Sequence, residues 1–141
     1  MSICKEKNGA RNENAGAAEY RNIIAVTNRK LCERPFLEQV ERICQMHPKA
    51  LILREKDLSE KEYEELAKKV MAICAEYKVP CILHTFYQVA MELPCDGLHL
   101  PLPLLREVTA GKSASGRWRE KFAKLGTSVH SVEEAIEAEQ L

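Results

Sequence analysis

The feature that most restricts this chain is an alternation: five short, largely apolar runs, each followed by a stretch with helical spacing. The runs are Ile23-Ile24-Ala25-Val26-Thr27, residues 50–55, Cys81-Ile82-Leu83-His84-Thr85, Gly97-Leu98-His99-Leu100 and residues 125–130. The first is continuous, which predicts a strand buried on both faces. Between the first two, Phe36, Leu37, Val40, Ile43 and Cys44 repeat at helical spacing over 36–46, with Pro35 suited to a first turn and Pro48 to a stop. After the second, Ser59-Glu60-Lys61-Glu62 reads as a capping box opening a helix whose apolar face is Tyr63, Leu66, Ala67, Val70, Cys74 and Tyr77. Shorter helices are expected over 88–93, 104–109 and 117–124. A second capping box, Ser131 to Glu134, precedes a last helix carrying Val132, Ala135, Ile136 and Ala138. The order βαβαβαβαβα implies a parallel sheet with right-handed crossovers. With neither G-x-G-x-x-G nor G-x-x-x-x-G-K-[ST] present, two architectures remain: a flavodoxin-like open sheet or part of a (βα)8 barrel.

Charge narrows the partners. Lys+Arg and Asp+Glu number 21 each in 141 residues, so there is no basic excess for nucleic acid or an acidic membrane. No signal peptide or long apolar span is read, which predicts a cytoplasmic protein. Residues 1–21 are polar and read as a flexible leader, with a short helix around 14–20, ahead of one domain over 22–141. Residues 111–116 read as a flexible loop, and Lys112 to Arg119 as surface rather than a nucleic-acid patch. The six cysteines show no C-x-x-C and no zinc spacing, so they are expected as reduced thiols, Cys44 and Cys74 on buried helix faces.

Chemistry-bearing side chains gather at the C-terminal ends of the runs, where barrels place their sites. Thr27-Asn28 follows the first, His84-Thr85 closes the third, His99 lies on the fourth, and Ser128 and His130 end the fifth. The second ends in Arg54-Glu55-Lys56-Asp57; period-two alternation puts Arg54 and Lys56 on one face with Ile52 behind them. That face meets either water or an anion.

AVTN at 25–28, LREKDLS at 53–59, DGLHL at 96–100 and SVHSVEEAIEAEQL at 128–141 together resemble thiamine-phosphate synthase and its relative TenI, in order and spacing from about residue 23 onward. The resemblance implies a (βα)8 barrel, here about five parallel strands with helices outside. It implies an enzyme that joins a hydroxymethylpyrimidine diphosphate to a thiazole phosphate, releasing diphosphate, with Mg2+. The TenI branch implies instead a thiazole tautomerase or regulator. A third reading is a non-catalytic phosphate-binding half-barrel. By resemblance, Arg54 and Lys56 hold the diphosphate, with Ser128, His84 and His99 in the same wall, and His130 is the acid/base of the tautomerase.

The chain departs from the pattern at three places. Ile52 replaces a Gln. The two Asp residues that hold magnesium in the synthases fall on Thr85 and Leu104, so no metal ligand is assigned. The family's sixth to eighth strands would follow Leu141. The resemblance therefore implies a truncated gene product, a fragment, or a homo-oligomer that covers its open sheet edges.

Overall fold

The strands pair in the order in which they occur. In the computed structural model, which describes residues 20–111 and 116–141, β1 (Ile24–Val26), β2 (Ala50–Leu53), β3 (Cys81–His84), β4 (Gly97–Pro101) and β5 (Lys124–Ser128) form one parallel sheet in the order β1-β2-β3-β4-β5. A flavodoxin-like sheet reverses direction at a switch point; an uninterrupted 1-2-3-4-5 order is that of a barrel segment. The crossovers carry α1 (Phe36–Gln45), α2 (Glu60–Glu76), α3 (Tyr87–Glu92) and α4 (Leu102–Ala110), and α5 (Val132–Gln140) follows β5. The leader expected over 1–21 falls almost wholly outside the described residues, as do Cys4 and residues 112–115 of the loop.

Local chemistry sets the helix ends. The Ser59 box forms in both directions: Glu62 N–H donates to Ser59 Oγ at 3.3 Å and Ser59 N–H to Glu62 Oε2 at 2.9 Å. The second box forms only in part. Ser131 Oγ accepts from Glu134 N–H at 3.1 Å, while the Glu134 carboxylate reaches one residue further back, to His130 N–H at 2.6 Å. At the end of α2, Lys78 takes φ 56°. Its N–H donates to Ala75 O and that of Val79 to Cys74 O, a Schellman closure built without glycine. Pro35 stands just before α1 rather than inside its first turn.

The two sheet faces differ. Leu51, Leu53, Leu83, Leu98 and Leu100 point outward and are buried with Val40, Tyr63, Ala67, Val70, Trp118 and Phe122 of the crossovers. Cys44 and Cys74 are buried, Sγ to Sγ 3.8 Å, and with Cys32, Cys81 and Cys95 are free thiols. The opposite face has only strands to cover it: Ala50, Ile52 and Ile82 form a small cluster of their own. The register aligns Val26 with Ile52 and Ile52 with Ile82. Here one expectation fails. The first run is not buried on both faces; Ile24 is 46% and Val26 54% exposed, because β1 is an edge strand and its inner face looks into the open concavity. The apolar face read into the last helix is likewise uncovered, with Val132 71% and Ile136 54% exposed.

Candidate functional site

At the β1 and β2 ends, four charged residues are consumed in one fastening. Glu55 is 3% exposed. Its Oε1 accepts from Thr27 Oγ1 at 2.8 Å and Arg29 N–H at 2.9 Å, and its Oε2 from Arg29 Nη1 at 3.1 Å. Arg29 also forks onto Asp57, Nη1 to Oδ1 2.7 Å and Nη2 to Oδ2 2.8 Å, and Lys30 Nζ lies 3.2 Å from Asp57 Oδ2. Arg29, then Lys30, hold the Asp57 carboxyl well below the usual range.

Alternation decides what is left over. β2 ends at Leu53, short of the residue 55 expected, and beyond it Glu55 is buried while Arg54 and Lys56 on either side are both exposed. Arg54 is fixed by its backbone, its N–H donating to Thr27 Oγ1 at 3.0 Å. Neither cation makes an ion pair among the described residues, whereas Arg29 and Lys30 beside them both do. Sequence reading singled out the pair but missed Glu55 as the anchor; the signal was the same period of two, which sends Glu55 to the other side.

At the β3, β4 and β5 ends three predicted residues meet. The register pairs His84 with His99 and His99 with Gly126. The imidazoles stack with centroids 5.1 Å apart and planes at 16°. His99 Nε2 lies 2.9 Å from Ser128 Oγ, and His84 Nδ1 lies 2.6 Å from Thr85 Oγ1. Gly126 makes room for this: a Cβ there would stand 2.7 Å from His99 Nδ1. From below, Tyr63 Oη donates to Leu53 O at 2.6 Å and accepts His84 N–H at 3.0 Å, a buried strut between β2 and β3.

Burial keeps the pair neutral. It pushes His84 down to about 4, helped by the neighbouring His99, which disfavours a second proton on the pair, and by the charges of Lys56 and Arg54; burial and then Lys56 also lower His99. The two cations are thus within electrostatic reach of the stacked rings. Thr85 takes φ 71°, a left-handed conformation that a β-branched residue adopts only under strain. His130 is exposed beyond β5, and its ring makes no hydrogen bond among the described residues, to the His84–His99–Ser128 group or elsewhere. Leu104 and Thr85 line one cavity of about 360 Å3, with Phe86, Tyr87, Glu60 and Glu107.

A family profile described as thiamine monophosphate synthase matches residues 23–141. The chain belongs to the thiamine monophosphate synthase family. A putative thiamine-phosphate synthase 2 of Aquifex aeolicus is 34% identical over 86% of this chain and 62% of its own length. A thiamine-phosphate synthase of Clostridium acetobutylicum is 33% identical over 84% of this chain and 54% of its own. A thiamine phosphate pyrophosphorylase structure from Pyrococcus furiosus superposes with a TM-score of 0.66 at 24% identity, covering 86% of this chain and 56% of that one, a likeness of fold. The chain thus spans little more than half the length of these relatives.

Members of this family are expected to use Mg2+, a hard cation that takes carboxylate and water oxygens. The residues present do not fit it. Its two expected ligand positions do line one cavity, but they carry a hydroxyl at Thr85 and methyls at Leu104. Among the described residues no three His, Cys, Asp or Glu side chains are grouped to hold a metal.

Proposed function

We propose that this chain carries the diphosphate-handling part of a thiamine-phosphate synthase. Its substrates would be hydroxymethylpyrimidine diphosphate and a thiazole phosphate, and diphosphate the leaving group. The observation that carries this reading is the unpaired state of Arg54 and Lys56 beside the fully paired Arg29 and Lys30. Two cations left without carboxylates, on the turn that leaves β2, are available to an anion. As diphosphate departs, its growing negative charge is stabilised by groups already in place. Arg54 offers a fork and Lys56 a point charge. Ser128 and the neutral imidazoles add hydrogen bonds without adding charge of either sign. The small apolar cluster Ala50, Ile52 and Ile82 behind them offers a dry wall for a heteroaromatic ring.

The test is formation of thiamine phosphate from the two precursors, compared between the parent and Arg54→Ala. Product that falls by about tenfold to a hundredfold in the variant, the loss of one charge-assisted contact, agrees. Equal turnover by both proteins contradicts. The tautomerase reading would rest on His130, and an unchanged rate of thiazole proton transfer in His130→Ala would remove it. The exposed apolar residues of the edge strands, Ile24 and Val26 on β1 and Leu125 on β5, with Val132 and Ile136 on the adjoining helix α5, also favour pairing with a second copy in a cytoplasmic protein. Sedimentation as a monomer at high concentration argues against that association.

A further inference from the structure

We infer that the strand-end face takes a diphosphate group in its metal-free form, Arg54 and Lys56 standing where a divalent cation would otherwise carry the charge. The inference rests on the anion-binding reading above and departs from the metal dependence expected of the family.

Three observations converge on it. The carboxylates nearest the cations are already committed: Glu55 is buried under Thr27 and Arg29, and Asp57 is forked by Arg29. Neither has an oxygen to spare for a metal facing the site. What the strand ends offer instead is two exposed cations just beyond β2, beside the end of β3, with two stacked imidazoles and the Ser128 hydroxyl. A divalent cation among them would be repelled by Arg54 and Lys56 and would meet nitrogen donors suited to softer metals. Finally, Thr85 is held at φ 71°, where Asp or Asn would rest more easily than a β-branched residue. Its hydroxyl is spent on His84 Nδ1 at 2.6 Å. The strained position therefore orients an imidazole rather than presenting an oxygen to a metal. Glu60 and Glu107, on the wall of the adjoining cavity, are exposed helix residues and reach none of these groups by a hydrogen bond.

The physical consequence has a definite sign. Magnesium complexes diphosphate and removes much of its charge, so Mg2+ should weaken the attraction to Arg54 and Lys56 when the protein has no ligand to hold the ion in return. The experiment is isothermal titration of the chain with inorganic diphosphate, once in EDTA and once in excess Mg2+. We expect binding in EDTA and an affinity lower by about tenfold in Mg2+. In Thr85→Asp/Leu104→Asp, which restores two carboxylates to one cavity, the order should reverse. Tighter binding of the parent in Mg2+ overturns the inference and leaves the anion site standing. A double variant that responds to Mg2+ as the parent does overturns the part assigned to Thr85 and Leu104. Absence of binding in both buffers overturns the anion site itself, and the inference with it.

Discussion

Acidification should weaken this protein before its carboxylates begin to titrate, and the cause should be His84. The ring is 4% exposed, stacked on His99 and lowered to about 4 from an ordinary 6.5. A group whose folded value is depressed binds fewer protons folded than unfolded, so stability is complete above 6.5 and is lost as pH falls toward 4. Between about pH 7.5 and about pH 5.5 the unfolded chain takes up nearly a full proton at this position and the folded chain almost none, a loss of roughly 1–2 kcal/mol. His99, lowered by burial and by Lys56, adds to the loss in the same direction. Asp57, Glu62 and Glu137 are also lowered, but from unfolded values near 4, so their contributions disappear at lower pH. The assay is urea unfolding followed by far-UV circular dichroism across that window, with His84→Asn as the control. The parent's midpoint should fall steadily and the variant's much less. A flat profile in the parent, or the same slope in both proteins, would refute the assignment of a buried, neutral His84. Lys56→Ala should make the slope shallower, since it removes a like charge from beside both rings.

Other perturbations follow from the same contacts. Tyr63→Phe leaves the Leu53 carbonyl and the His84 N–H short of a buried partner and should cost about 2 kcal/mol in chemical denaturation; an unchanged midpoint contradicts the strut. Gly126→Ala should displace the His99 ring and lower diphosphate affinity, because its Cβ would stand 2.7 Å from Nδ1; unchanged His99 ring resonances would show that the space was not needed. Lys78→Gly should raise stability by about 1 kcal/mol, since φ 56° suits glycine and the Schellman bonds need no side chain; a lower Tm contradicts it.

The elements were legible where one local signal governed them. Ser59 and Glu62 stand three residues apart and form their box, and the helix behind them follows the spacing of Tyr63, Ala67, Val70 and Cys74. That the strands run parallel was legible too, since each crossover is too long for a hairpin and carries a helix; their order was not, because a flavodoxin-like sheet and a barrel segment share the same alternation. Exposure was not. Ile24 and Val26 have the composition of a doubly buried strand, yet what covers a face depends on partners that the chain's own five strands do not supply. Glu134 shows the limit at finer scale, because the spacing fixes which turn it occupies but not whether it reaches Ser131 or His130. Within the site, the period of two placed Arg54 and Lys56 together. The stacking of His84 on His99 depends on the register between β3 and β4, which no local spacing encodes. Thr85 at φ 71° was likewise invisible, since threonine is a residue that propensity would keep in the strand.

The account turns on whether the strand-end face of Arg54, Lys56, His84, His99 and Ser128 is the place where an anion sits. The four histidines provide the probe, because His47 lies at the opposite end of the sheet, beyond α1. The measurement is the ring nitrogen–proton correlation spectrum of all four during a titration with inorganic diphosphate. The account predicts that the His84 and His99 signals move together and saturate, that His47 stays still, and that Arg54→Ala abolishes the movement. Still signals from His84 and His99, or a response from His47 as large as theirs, would contradict it.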